Sequence, residues 1–103
     1  MIFLINCTHV HAELISQTLL RNNWVAHISV IPNVVRSYRE DDQIISLEQT
    51  LLLTETHVEL VDVIGEWLEE QAFSPPATAA ALKEGTYHID YVNWFKGVLS
   101  NTA

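Results

Sequence analysis

Residues Trp24 to Thr56 read WVAHISVIPNVVRSYREDDQIISLEQTLLLTET, two long extended runs joined by an acidic turn. From Val25 to Ile31, Ala26, Ile28 and Val30 fall on one side and His27 and Ser29 on the other, the period of two of a half-buried strand. In the second run Ile45, Leu47, Leu51 and Leu53 share what reads as the buried face. Ser46, Glu48, Thr50 and Thr54 take the opposite face, and Gln49 and Leu52 break the alternation. Between the runs, the carboxylates of Glu40, Asp41 and Asp42 repel one another and favour water, so Tyr38 to Gln43 is a hairpin tip. A dozen extended residues reach roughly 40 Å, whereas a domain of this size has a radius of gyration of about 13 Å. One small body cannot cover such a hairpin. Exposed strand edges invite association, and another copy of the chain is the expected partner.

The chain has 103 residues, 49% of them apolar and 17% charged. That suits one folded domain spanning 1–103 and excludes disorder. No apolar run reaches the ~18 residues of a membrane span. Met1-Ile2-Phe3-Leu4-Ile5 lacks a basic leader and a cleavage site, so it reads as a first strand, and a cytoplasmic location is expected. The single cysteine, Cys7, offers no intramolecular disulfide. A formal charge of -8, from 13 acids and 5 bases, argues against nucleic acid, whose phosphates need clustered Lys and Arg. An acidic surface suits cations and equally serves solubility.

In chain order, Ile2 to Cys7 is a continuous apolar run of the kind buried on both faces of a sheet. Thr8 is placed to cap a helix from about Val10 to Arg21, with Leu14, Ile15, Thr18 and Leu19 as its inward stripe. Asn22-Asn23 ends it. Pro32 has no N–H to donate and belongs at a bulge or an edge. Thr56 and Glu59 have the spacing of a capping box, opening a helix to about Gln71 whose inward stripe is Val58, Val61, Ile64 and Leu68. Ser74-Pro75-Pro76 forces an extended entry to a fourth strand over Ala77 to Leu82. A last helix is expected from about Asp90 to Leu99. The order βαββαβ with an extra C-terminal helix is α+β and ferredoxin-like, the split βαβ arrangement.

Several residues then align in order with a known family. Cys7-Thr8 closes the first strand, Ile31-Pro32 lies in the second, Ser37 and Tyr38 precede the turn, and Glu48 lies in the third. Thr56 opens the second helix, Pro76 precedes the fourth strand, and Asp90-Tyr91 with Trp94 belongs to the last helix. This ordered set resembles the CutA divalent-cation-tolerance family over nearly the whole chain. The resemblance implies a non-enzymatic, PII-like homotrimer with its long hairpins pairing across subunits and small ligands held in clefts between them. The sequence departs from the family pattern at Ala26-His27, at Arg39-Glu40-Asp41-Asp42 and over Gln71 to Ala77, where the usual histidine and acids are absent.

Cys7, His9 and His11 form the one cluster with metal-ligand chemistry. On an extended segment alternate residues share a face, so a thiolate and two imidazoles would converge on copper or zinc. The competing reading is a buried cysteine with two surface histidines, because free Cys is among the most buried residue types. His27, Arg36 and Arg39 are the candidate residues of a ligand cleft beside the hairpin. His57 and His88 read as solvent-exposed, and the Glu40-Asp41-Asp42 run lacks the spaced ligands of a calcium loop. Trp24, Trp67 and Trp94 read as core or interface anchors. No phosphate-binding glycine loop and no Ser-His-acid set can be nominated from spacing, so no enzyme is expected. The functions in competition are divalent-cation tolerance by a CutA-like trimer, small-metabolite sensing by a PII-like one, and a trimeric scaffold that docks to another protein.

Overall fold

The computed structural model describes residues 1–82; the helix expected from about Asp90 to Leu99, with Trp94, lies outside them. The elements are β1 (Ile2–Cys7), α1 (His9–Arg21), β2 (His27–Glu40), β3 (Gln43–Glu55), a 3-10 turn (Val58–Leu60), α2 (Val61–Glu70) and β4 (Thr78–Leu82). The strands form one antiparallel sheet in the order β2-β3-β1-β4. This is the α+β split βαβ topology, with β1 and β3 central and each half of the chain contributing one crossover helix. Among the described residues no helix is long and apolar enough to cross a membrane.

Register decides which face of the sheet carries the helices. Phe3, Ile5 and Cys7 pair with Thr54, Leu52 and Thr50, and partners across an antiparallel ladder share a face. Phe3, Ile5, Cys7 and Leu52 pack with Ala12, Ile15 and Leu19 of α1 and with Ile64 and Leu68 of α2 as the main core. Leu51 and Leu53 lie on the other side, where Leu53 clusters with Ile2, Leu4 and Leu82. Leu51 and Leu53 share a face as read, but it is the face opposite the helices, and Leu52, which breaks the alternation, is the residue at 0% exposure. The cause is a sheet apolar on both sides. Thr50 and Thr54 pass for surface residues in the sequence yet are wholly buried. Burial suits them because their hydroxyls are satisfied: Thr54 Oγ1 donates to the Phe3 carbonyl at 2.8 Å, and Thr50 Oγ1 bonds His9 Nδ1 at 3.2 Å.

The hairpin is as long as its sequence implies. β2 has 14 residues and β3 has 13. Glu40 pairs with Gln43, so Asp41-Asp42 is a two-residue turn, and Asp41 adopts the φ of 54° that such turns require at their first central position. Pro32 occupies both of its permitted places at once: β2 is an edge strand, and the register shifts between Ile31 and Val34 with Asn33 at φ 60°. β1 pairs with β3 only over Thr50–Glu55. Gln43–Gln49 therefore runs past it, with β2 as its one strand neighbour among the described residues.

Both helices depart from their expected starts and stripes. Thr8 makes no side-chain cap; its hydroxyl is 2.7 Å from His11 Nδ1. The buried stripe of α1 is Ala12, Ile15 and Leu19, while Leu14 is 53% exposed. The capping box at Thr56 does not form, because the Thr56 hydroxyl donates to the Trp24 carbonyl, a backbone acceptor that would otherwise need another donor. The chain enters α2 through the 3-10 turn instead, leaving Val58 exposed and burying Ile64 and Leu68. At the far end of α1, Asn23 takes φ 56°, the left-handed stop that Asn tolerates. Leu52→Ala is expected to lower the unfolding free energy in urea by about 2–5 kcal/mol. Leu14→Ala is expected to change it by less than about 0.5 kcal/mol, the reverse of what the sequence stripe implies.

Candidate functional site

The structure does not bring Cys7, His9 and His11 onto one centre. α1 begins at His9, so the alternation assumed for an extended segment gives way to about 100° per residue, and the two imidazoles diverge by roughly 200°. Cys7 points into the core at 1% exposure, its Sγ 3.8 Å from the Thr50 carbonyl. Burial raises its thiol above the ordinary value, and metal ligation needs the thiolate. His9 stands outside it against Thr50. The His11 ring stacks on Phe73 with centroids 4.5 Å apart. Among the described residues, no group of three or more His, Cys, Asp or Glu side chains is arranged to hold a metal ion. The buried cysteine of the competing reading is what the fold contains, with His9 at the surface and His11 half-buried.

His27, Arg36 and Arg39 are also kept apart within one protomer. His27 Nε2 lies 3.2 Å from Glu55 Oε2, both side chains more than a third exposed, a setting in which an ion pair contributes little. Arg36 lies over the Tyr38 ring at 5.4 Å. Arg36 pairs with Leu47 and Arg39 with Ile44, so the two guanidinium groups start from opposite faces of the hairpin. His27 pairs with Glu55, eight positions along β3 from Leu47, or roughly 26 Å at the usual rise. Any cleft containing all three residues draws them from more than one copy.

Other concave regions lie elsewhere among the described residues, one of about 440 Å³ at the hairpin tip beside Glu40, Asp41 and Asp42. A cleft of about 450 Å³ is lined by Trp24, Glu55, Thr56 and His57 among others. A trough between α2 and β4 has two sections, of about 420 and 290 Å³, which share Gly65, Glu69 and Ala79. Small residues on β4 keep the trough open, since Ala79 and Ala81 face α2 where larger side chains would fill it. Asp62, Glu66 and Glu69 line it from one side of the helix, at the spacing that shares a helical face. Gly65 sits in mid-helix, where it costs roughly 0.5–1 kcal/mol relative to Ala, and a Cβ there would meet nothing within 4 Å. Packing within the described chain does not require that glycine. Trp24 and Trp67, 6.3 Å apart and edge to face, pack on the core as anchors.

His27–Glu55, His11–Phe73 and the trough were not legible as sites in the sequence. Each depends on strand register or on the approach of α2 to β4. Gly65 within a helical pattern was the one local signal.

The geometry defines a class first: a ferredoxin-like α+β protomer whose second and third strands form an overlong hairpin. No family model matches the sequence, and no curated protein matches it. Solved structures match it closely in fold. The divalent cation tolerance protein of Thermus thermophilus superposes with a TM-score of 0.68 at 20% identity, over 90% of this chain and 91% of that one. CutA from Xylella fastidiosa gives 0.64 at 23% identity, over 90% and 92%. The PII-like protein CutA from Nostoc sp. PCC 7120 gives 0.65 at 18%, over 89% of each. The chain has the CutA fold, and the resemblance read from its ordered residues holds in three dimensions.

Two outcomes follow from this geometry. Because burial raises the Cys7 thiol, the unfolded chain ionises first, and stability is lost as pH rises past the ordinary thiol value of 9.0. Cys7→Ala should flatten that alkaline loss in pH-dependent melting, and iodoacetamide at neutral pH should label wild-type Cys7 only after denaturant is added. Gly65→Ala should raise the unfolding free energy by about 0.5–1 kcal/mol, measured in urea.

Proposed function

We propose that this chain is a CutA-like, non-enzymatic cytoplasmic protein that assembles as a homotrimer and serves divalent-cation tolerance. The observation that carries the reading is the fold shared with divalent cation tolerance proteins across about nine-tenths of the chain. Self-association is supported independently by the hairpin. Gln43–Gln49 outruns β1, and Val35 and Ile44 are 66% and 77% exposed on it. Such an edge and such apolar area call for cover. The acidic surface, with a charge of -8, favours cations over anionic ligands.

A second reading is a PII-like sensor that binds a small metabolite between subunits. Its support is specific: His27, Arg36 and Arg39 cannot meet within one protomer, yet a joint between copies can gather them. A scaffold that docks to another protein is the third.

Sedimentation equilibrium should give three times the protomer mass of 11.7 kDa. Calorimetric titration of the assembled protein with copper and zinc should then show saturable binding. Its dissociation constant should be unchanged in Cys7→Ser, because Cys7 is buried away from solvent. Silence toward both ions with saturation by one metabolite would transfer the function to the sensor, and a solitary 11.7 kDa species would remove the trimer.

A further inference from the structure

The cleft of about 450 Å³ lies where the chain enters β2 and leaves β3, and its volume is that of a small-molecule pocket. Its walls are fastened to each other. The Ala26 N–H donates to the Glu55 carbonyl at 2.9 Å, the Thr56 N–H donates to the Met1 carbonyl at 2.9 Å, and the Thr56 hydroxyl donates to the Trp24 carbonyl. A site held in this way is ordered before a ligand arrives, which spares binding the cost of ordering it.

The lining joins one carboxylate to apolar surface. Val25, Leu60 and half-buried Trp24 supply the apolar part. Trp24 packs on the core and meets Trp67 edge to face, so its ring is fixed. Glu55 supplies the charge: its Oε2 takes His27 at 3.2 Å, and its Oε1 has no partner among the described residues. The Met1 ammonium in the same lining bonds the Thr56 carbonyl at 3.0 Å instead. An anion entering here would meet Glu55 and the charge of -8 on the chain, and both favour a cation. A bare metal ion is poorly served, because among the described residues no three His, Cys, Asp or Glu side chains are arranged around one. An ammonium is served better. It has three donors, and Glu55, Asn23 and a ring nitrogen of His57 are acceptors in the lining. A cation over the face of a Trp ring also gains from the ring quadrupole.

We propose that this cleft binds a small primary amine in its protonated form, with the ammonium on Glu55 and a compact apolar body on Trp24. The site lies within one protomer and needs no residue from a second copy. It therefore goes beyond both the cation tolerance proposed above and a joint that would gather His27, Arg36 and Arg39.

The probe is phenethylamine, titrated calorimetrically into the full chain at neutral pH, with 2-phenylethanol and phenylacetate as the uncharged and anionic forms of the same body. Phenethylamine should saturate at one site per protomer, and the other two should bind at least about tenfold more weakly. Glu55→Gln should weaken the amine at least about tenfold. His27→Gln breaks the same contact from its other end and leaves the carboxylate, so it should hold affinity within about twofold. Trp24→Leu should cost about fivefold and Trp24→Phe, which keeps an aromatic face, less than that, with circular dichroism melting on the same samples. If the three probes bind alike, or phenethylamine does not saturate, the ammonium site is overturned while the trimer and cation tolerance stand. Equal losses in Glu55→Gln and His27→Gln mean that their contact only shapes the cleft, and remove Glu55 as the seat of the ammonium. Loss of amine binding in Arg36→Ala or Arg39→Ala moves the ligand to a joint between copies, and the cleft at Trp24 is overturned.

Discussion

The constraint on which this structure depends is backbone pairing along an edge. β3 is joined to β1 over Thr50–Glu55 and to β2 along nearly its whole length, so among the described residues the hairpin is a two-stranded ribbon once it passes Gln49. A two-stranded ribbon is marginal in water by itself. Polar side chains do not relieve the difficulty, because Val35 and Ile44 place apolar area on the overhang. The ribbon instead gains from its devices. The bulge at Pro32-Asn33 adds twist, the Arg36–Tyr38 contact stiffens one face, and the Asp41-Asp42 turn keeps the tip soluble.

The base of the sheet shows a different balance. Leu51, Leu52 and Leu53 place apolar side chains on both faces of β3, and both are needed: Leu52 anchors the helices, while Leu53 with Ile2 forms a second cluster on the helix-free side. Thr50 and Thr54 make the helix-facing strip partly polar without leaving their buried hydroxyls unpaired. The same strip holds Cys7, whose Sγ approaches the Thr50 carbonyl, so the thiol is one more satisfied core group. Its chemistry is suppressed by the burial that makes it structurally useful.

How far the fold was legible follows from which signals are local. Strand periods, the Asn22-Asn23 stop, the proline positions and the acidic tip depend on neighbours in sequence, and those elements stand where they were read. The order of elements then sufficed for the topology. What failed depended on tertiary partners. Thr8 and Thr56 carry the chemistry of helix caps, yet His11 and the Trp24 carbonyl take their hydroxyls. Leu14 fits a helical stripe as well as Ala12 does, and only the face that α1 packs on the sheet separates them. The alternation in β3 showed two faces and could not say which one the helices would cover. The same limit applied to the site: Cys7, His9 and His11 converge only if the strand continues through them, and the helix begins directly after Thr8.

The protomer's surfaces also bear on where function can reside. The candidate cleft residues are dispersed: His27 is held by Glu55, Arg36 lies on Tyr38, and Arg39 projects from the opposite face. Dispersed groups on a rigid sheet make poor sites singly, since a ligand site needs convergent polar groups in a concave setting. The hairpin, however, carries its arginines beyond the part of β3 that β1 covers. An assembly built through that hairpin brings residues from different copies together, and any site so formed exists only at concentrations that sustain the assembly. Binding chemistry and oligomeric state are then one equilibrium. A ligand that prefers the joined form must stabilise it by the same free energy with which the joined form favours the ligand.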